Sequence, residues 1–164
     1  MRVLGIDPGT YFMGIGLVDT EGTDLHMAHM DVLKAKKSLS LADRLHLLYE
    51  GVLQCIDTWK PGVAAIEQPF VARNVRSAMA IGQAQAIAML AATQRGLLIS
   101  TYSPSEVKQA VTDHGGSSKE QVQEMVQILL RLSEAPVSSD AADALAVAIC
   151  HINASRVQEL SFRD

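Results

Sequence analysis

The sequence predicts an α/β fold in which helices flank a five-stranded mixed sheet. Three apolar segments near the start, over about residues 2–7, 12–19 and 25–33, are separated only by short turns, which is typical of an antiparallel meander. After residue 40, helical and short apolar segments alternate, which indicates parallel strand pairing. The composition, 48% hydrophobic and 20% charged, is that of a folded protein. We therefore expect a single domain over residues 1–164.

The alternating segments can be placed one by one. Ser40 caps a helix over about residues 41–59, which a Pro-Gly pair ends. Strands over residues 63–67 and 97–102 enclose a second helix, over about residues 74–95. That helix is rich in Ala and Gly on several sides, which indicates burial on more than one face. The sequence leaves open whether it lies inside the core or across a subunit contact.

Three further helices complete the chain. Pro104 starts a short one, because proline suits the first helical turn. Ser117 and Glu120 form a capping-box pattern at the start of the next. The last runs over about residues 139–154, capped by one of the two serines that precede Asp140.

The bulk charge argues against nucleic-acid binding. The net charge is −4, from 14 basic and 18 acidic residues, whereas affinity for DNA depends largely on neutralised phosphates. The objection weakens if four acids surround metal ions, because the rest of the chain is then neutral. A small basic cluster, Lys34, Lys36 and Lys37, is interpreted as a solvated loop.

The two cysteines bear on the cellular compartment. Cys55 and Cys150 both fall in apolar helical patterns, and neither has the spacing of a zinc site or a disulfide framework. This usage suits a reducing cytosol. The chain opens directly into a strand without a signal-peptide pattern. We therefore expect a cytoplasmic protein.

Four acids occupy positions that favour a shared site. Asp7 and Glu67 each end an apolar strand, at the edge where open α/β sheets bind ligands. Asp140 and Asp143 share one face of the last helix, whose small apolar residues favour packing against the sheet. Clustered carboxylates repel one another unless cations hold them, and Mg²⁺ or Mn²⁺ prefers such oxygen ligands. Two such ions can activate water and stabilise the leaving oxygen in phosphodiester cleavage.

Each acid also has a plainer interpretation. Asp7 precedes a Pro-Gly pair and fits a turn former. Glu67 fits a solvated charge at a strand end. Asp140 and Asp143 fit a favourable interaction of acids with the helix dipole. Spacing alone does not show that the four side chains meet in space.

Five sequence blocks together resemble the RuvC family of Holliday-junction resolvases. They occur in the family's order and extend from residue 1 to about residue 152. The opening Gly-Ile-Asp-Pro-Gly and the later Asp-Ala-Ala-Asp-Ala-Leu are specific in combination. The blocks are Gly5–Gly9, Ala65–Gln68 with Phe70, Val107–Gln109, Lys119–Val122 and Asp140–Ala146.

The resemblance implies an RNase H-like fold, a homodimer and symmetric nicking of four-way junction DNA in recombination and repair. It implies that Asp7, Glu67, Asp140 and Asp143 are catalytic and bind metal: Mg²⁺, with Mn²⁺ as a substitute, about two ions per site. The products would carry 5′-phosphate and 3′-hydroxyl ends. A branch-migration helicase complex of the RuvA and RuvB type is the implied protein partner.

The resemblance also indicates residues that contact DNA. Lys108 and Lys119 match family lysines near the DNA backbone, although both could be ordinary surface lysines. Phe70 is expected to stack on unpaired bases at the junction centre, the alternative being a loop aromatic tucked into the core. Arg73 and Arg76 open the Ala-rich helix and could hold a DNA arm.

Three other functions compete with the resolvase. The opening block also resembles the first phosphate loop of actin-like sugar kinases and ATPases, but those proteins need two such domains. The YqgF-like nucleases of the RNase H fold act on RNA, and the Asp-Ala-Ala-Asp-Ala-Leu helix with Lys108 and Lys119 favours the resolvase over them. A binding module without activity would have no reason to keep four mutually repelling carboxylates.

Overall fold

The computed structural model describes residues 1–68, 75–136 and 138–161, with only the backbone for residues 159 and 160. The elements in chain order are β1 (Arg2–Asp7), β2 (Phe12–Glu21), β3 (Asp24–Lys34), α1 (Leu41–Trp59), β4 (Val63–Glu67), α2 (Val75–Gln94), β5 (Leu98–Tyr102), α3 (Pro104–Thr112), α4 (Lys119–Leu129) and α5 (Ser139–Ser161). None of the helices in these ranges combines the length and apolar character that a membrane span needs.

The strands form a mixed sheet in the order β3-β2-β1-β4-β5. β1 pairs antiparallel with β2, and β2 antiparallel with β3. β1 pairs parallel with β4, and β4 parallel with β5. The predicted meander followed by parallel strands is therefore confirmed.

Apolar side chains are buried on both faces of the sheet, since successive side chains of a strand point to opposite faces. On one face, Val3 and Val18 pack with residues of α3, α4 and α5. On the other face, Leu4 and Ile6 pack with residues of α1 and α2. This arrangement leaves the end of the sheet where β1 and β4 finish open between the helices.

Within the chain, helix α2 is buried on one face. Its alanine stripe between Ala84 and Ala92 packs in the core. Val75, Met79 and Leu90 on its other sides are exposed. Burial of a second face in a subunit contact stays a prediction.

Two helix ends also differ from the prediction. The capping box of α4 consists of Ser118 and Gln121, because the hydroxyl of Ser117 is engaged in a hydrogen bond with Thr112 instead. Helix α5 continues to Ser161. Its final turns are held by Arg156, whose guanidinium donates to the side chain and backbone of the β2–β3 hairpin.

The thiols are free, as expected. Cys55 and Cys150 form no disulfide. Burial, with a smaller contribution from a nearby acid, raises the pKa of each thiol to about 12. Both therefore behave as small apolar side chains at neutral pH.

Candidate active site at the strand edge

Three of the four predicted acids line one cleft. Asp7 and Glu67 come to the same edge because Ile6 and Ile66, which precede them, pair across the parallel strands β1 and β4. Helix α5 adds Asp143. The cleft has a volume of about 320 Å³, and its lining is Asp7, Glu67, Pro104, Val107, Lys108, Lys119, Val122, Asp143 and Ala146. The structure therefore brings together three predicted acids and both predicted lysines.

The fourth acid, Asp140, lies at the border of this cluster. It is placed one turn earlier on α5 and lines a neighbouring cleft of about 280 Å³. Burial is the main cause that raises the pKa of Asp7 and of Asp143, and the negative charge of Asp140 raises both further. Asp140 is thus within electrostatic reach of the other acids although it faces a second opening.

The cluster holds more negative charge than its surroundings stabilise. Burial, followed by the charges of Glu67, Asp143 and Asp140, raises the pKa of Asp7 from 3.8 to about 8. Burial, followed by the charge of Asp143, raises the pKa of Glu67 from 4.5 to about 7. Near neutral pH and without a cation, these acids therefore retain protons.

One cationic side chain already contacts the acids. Lys119, the first residue of α4, places its Nζ 2.7 Å from Oδ2 of Asp143. Burial lowers the pKa of Lys119, but the hydrogen bond to Asp143 and the charges of the acids raise it overall. The positive charge of Lys108 on α3 lowers the pKa of Glu67 and of Asp143, which offsets part of the increase. Both lysines thus stabilise the cluster in part.

Three glycines, Gly5, Gly14 and Gly16, allow α5 to approach the sheet closely, and they were not predicted from the sequence. A Cβ added to Gly5 would lie 2.0 Å from the carbonyl oxygen of Ala144. One added to Gly14 would lie 2.0 Å from that of Asp140. Gly14 is also the residue that pairs with Asp7 across β1 and β2. The alternation of glycines around Ile15 within a buried strand was the available sequence signal.

A second unpredicted contact ties α5 to the strand edge. Tyr102 pairs with Glu67 across β4 and β5. Its hydroxyl forms a 2.8 Å hydrogen bond with Nδ1 of His151 on α5. Nothing in the sequence links these two distant residues. The glycines and this hydrogen bond together fix α5, and hence Asp143, relative to the strand ends.

The carboxylate oxygens and the negative charge of this cluster fit a hard divalent cation. Carboxylate oxygens are the ligands that Mg²⁺ and Mn²⁺ prefer, and the raised pKa values of Asp7 and Glu67 show negative charge that a cation would stabilise. Within the described ranges, no three His, Cys, Asp or Glu side chains already surround one point. Asp7, Glu67 and Asp143, which line the same cleft, would hold the cation, with Asp140 at the border of the cluster.

The remaining predicted DNA-binding residues are Phe70, Arg73 and Arg76. Phe70 and Arg73 lie outside the described residues. Arg76 is an exposed residue in the first turn of α2, and it does not line the acidic cleft. The structure therefore places Lys108 and Lys119 at the acids, but not Arg76.

The raised pKa values predict how stability changes with pH. Asp7 and Glu67 bind protons more tightly in the folded protein than in the unfolded chain, where their pKa values are 3.8 and 4.5. Their contribution to stability is present below those values and is lost as pH rises through about 7 to 8. The cleft is open to solvent, so we expect the metal-free protein to lose only about 1–3 kcal/mol of unfolding free energy between about pH 5 and 8.

Urea unfolding in chelator, repeated in Mg²⁺, measures this loss. Mg²⁺ should reduce the loss at the upper end of the range, because a bound cation stabilises the ionised acids. A metal-free stability that rises over the same pH range would contradict the raised pKa values.

Comparisons with known proteins agree with this geometry. The family profile described as crossover junction endodeoxyribonuclease RuvC matches residues 3–151. The RuvC protein of Dehalococcoides mccartyi is 46% identical over 151 residues, which cover 92% of this chain and 90% of that protein. The solved structure of Thermus thermophilus RuvC is 35% identical, has a TM-score of 0.88 and covers 96% of this chain and 97% of its own.

A second Thermus thermophilus RuvC structure contains a bound Holliday junction substrate. It is 34% identical, has a TM-score of 0.90 and covers 96% of each chain. These similarities confirm the RNase H-like fold and the family resemblance seen in the sequence. The chain belongs to the RuvC family of crossover junction endodeoxyribonucleases.

Proposed function

We propose that this chain resolves four-way DNA junctions by symmetric, metal-dependent nicking, in recombination and repair. The observation that supports this proposal most directly is that Asp7, Glu67 and Asp143 line the same cleft as Lys108 and Lys119. A relative of the same fold has been solved with a Holliday junction substrate, which supports the choice of substrate. We further propose that residues 1–164 act as one nuclease domain.

The acids are proposed to hold the metal. Asp7 lies on the central strand, and the charges of Glu67, Asp143 and Asp140 all act on it. Asp7 would therefore be the central metal ligand of the cluster. Bound Mg²⁺, or Mn²⁺ in its place, would supply an activated water and stabilise the departing 3′ oxygen. The products would then be a 5′-phosphate and a 3′-hydroxyl.

The lysines are proposed to act on the DNA phosphates. Lys119 contacts Asp143 in the protein alone, and a cation at Asp143 would compete with that ion pair. Once displaced, the ammonium group of Lys119 lies in the same cleft as Lys108, where both can hold the phosphate being cut. Arg73 and Arg76 are proposed to contact a DNA arm.

A homodimer is proposed because two sites related by a two-fold axis match a four-way junction with the same symmetry. The exposed Met79 and Leu90 of α2 are available for that contact. A branch-migration helicase complex of the RuvA and RuvB type is the proposed protein partner, as the family resemblance implies.

Replacing Phe70 with alanine should lower junction resolution by about 10-fold or more, since stacking of one base on an aromatic contributes about 1–3 kcal/mol. The thermal midpoint should stay unchanged if the ring serves DNA. Phe70→Leu is the matched variant, because it keeps apolar volume but removes the aromatic face. A large drop in thermal stability for both variants would favour a role in the core instead.

The substrate is tested by incubating the protein with a labelled synthetic four-way junction, a linear duplex and an RNA–DNA hybrid, each with Mg²⁺ and with chelator. We expect paired cuts at symmetric positions in the junction alone, and only with the metal. Preferential cleavage of the RNA strand would replace the resolvase by an RNA-processing nuclease. Junction binding without cleavage in any divalent metal would indicate a binding module.

A further inference from the structure

Positive charge is distributed unevenly along the sheet. At the end away from the acids, three arginines form ion pairs: Arg2 with Asp19, Arg95 with Asp57, and Arg131 with Asp24. At the acidic end, Lys34, Lys36 and Lys37 are exposed. Within the described part of the chain, none of these three lysines has an acidic partner within ion-pair distance. Three exposed lysines without an acidic partner in the described residues thus lie close together at the acidic end, whereas Lys60 is a single exposed lysine at the other end.

Lys34 lines a groove that also contains Asp140, and Lys36 and Lys37 follow it two and three residues later in the chain. Phe12 starts β2 and pairs with Lys34 at the end of β3. Both line the cleft of about 280 Å³ that contains Asp140, together with Asp31, Val32 and Ser138. Phe12 is 48% exposed in the described part of the chain, which is high for an aromatic residue. The groove therefore combines an open aromatic face with a lysine beside a proposed metal ligand.

The segment that carries Lys36 and Lys37 is held against the start of β2. The backbone N–H of Ala35 donates to the carbonyl of Tyr11. The guanidinium of Arg44 lies 4.2 Å from the centre of the Tyr11 ring and donates to the carbonyl of Leu39. The lysines are thus displayed from an anchored segment rather than from a free loop.

Three acids lie near these cations. Asp31 and Asp140 line the same groove as Lys34. Asp43 is engaged at the start of α1, where it accepts a hydrogen bond from the capping hydroxyl of Ser40. The four cations, Lys34, Lys36, Lys37 and Arg44, exceed these acids by one, and a metal ion at Asp140 would widen the difference.

The groove and the catalytic cleft lie on either side of the first turns of α5. Asp143 faces the cleft that contains Lys108 and Lys119. Asp140 faces the groove that contains Phe12 and Lys34. A DNA strand with one phosphate at the acids would extend into both the cleft and the groove. The acids would otherwise repel the strand, so cations are needed on each side.

We propose that the β3 groove, lined by Phe12 and Lys34, together with the adjoining segment that carries Lys36 and Lys37, binds the backbone of the cut DNA strand next to the scissile phosphate, on the side away from Lys108 and Lys119. This inference rests on the proposed junction-cutting function. The lysines neutralise phosphates, and the ring of Phe12 offers a surface for a sugar or base. The basic cluster that the sequence suggested as a solvated loop is thus assigned to the substrate, which also accounts for DNA binding by a chain of net charge −4.

The test compares junction affinity of the full chain, in chelator, with that of the triple variant Lys34→Gln, Lys36→Gln and Lys37→Gln over a series of salt concentrations. We expect about 10-fold or greater weakening and a salt dependence that is less steep by about 0.9 for each phosphate that is no longer neutralised. Lys60→Gln, an exposed lysine at the end of α1, is the matched control and should bind like the unmodified chain. Equal affinity and equal salt dependence for the triple variant would overturn the inference.

The two proposals can fail separately. An unmodified chain that cuts junctions while the triple variant binds unchanged would refute the β3 groove alone. An unmodified chain that neither binds nor cuts junctions would refute the proposed function and this inference with it.

The path of the cut DNA strand is tested with junctions in which a neutral methylphosphonate replaces a single phosphate at or near the cut. The effect of Lys34→Gln on affinity should vanish at one of these sites. The effect of Lys108→Gln should vanish when the scissile phosphate itself is neutral, and not at the site that removes the Lys34 effect. If both effects vanish at the same site, or at no site, the proposed path is contradicted.

Discussion

Replacing Asp7 with asparagine should lower the rate of junction nicking by about 1000-fold or more and leave junction affinity within about twofold. Asp7 lies at the centre of the acid cluster, and the charges of Glu67, Asp143 and Asp140 all act on it. Asparagine keeps the size of the side chain but removes the charge that a shared metal needs. Single-turnover nicking in Mg²⁺ measures the rate, and fluorescence anisotropy in chelator measures the affinity.

A gain in stability should accompany this loss of activity. At about pH 8 and without metal, the Asp7→Asn protein should be more stable than the unmodified one, because it no longer holds a buried charge among like charges. Asp24→Asn is the matched control, since Asp24 is exposed and lies at the far end of the sheet. A variant at Asp7 that nicks within about tenfold of the unmodified rate would remove that residue from the proposed catalytic role.

Replacing Gly14 with alanine should lower the free energy of unfolding by about 2–4 kcal/mol and reduce nicking with it. The added Cβ would lie 2.0 Å from the carbonyl oxygen and 2.6 Å from the carbonyl carbon of Asp140. These are backbone atoms of α5, which cannot rotate away, so the start of the helix must move from the sheet. Urea unfolding measures the stability, and nicking below the unfolding transition measures the effect on the acids.

Gly62→Ala is the control for the Gly14 variant. Its Cβ would meet only the carbonyl oxygen of Arg2, at an ordinary distance of 3.8 Å. We expect a change within about 0.5 kcal/mol, or slight stabilisation through the unfolded chain. Equal unfolding midpoints for the Gly14 and Gly62 variants would show that close contact of α5 with β2 does not determine its position.

Local sequence signals predicted most of the fold. Ser40 correctly marked the start of α1, because its side chain accepts a hydrogen bond from the backbone N–H of Asp43. At α4, two overlapping capping patterns were one residue apart, and the hydrogen bond between Ser117 and Thr112, five residues earlier at the end of α3, decides between them. This choice depends on how the α3–α4 turn folds, which the capping pattern alone does not contain.

The candidate site was predictable to a similar degree. Two strands ending in acids indicated that Asp7 and Glu67 would share an edge, and the register bears this out. That Asp140 and Asp143 face different openings was not predictable, since it depends on the rotation of α5 over its glycine contacts. The same rotation brings Asp140 next to Lys34, a neighbour more than one hundred residues away in the chain.

The most direct measurement of the central claim is anomalous X-ray scattering from crystals of this protein soaked in Mn²⁺. We expect two peaks about 3.5–4 Å apart, bound by oxygens of Asp7, Glu67, Asp140 and Asp143, with Nζ of Lys119 moved away from Asp143. Peaks only at other positions, with Lys119 still paired to Asp143 as in this structure, would contradict the assignment of these four acids to the metal centre.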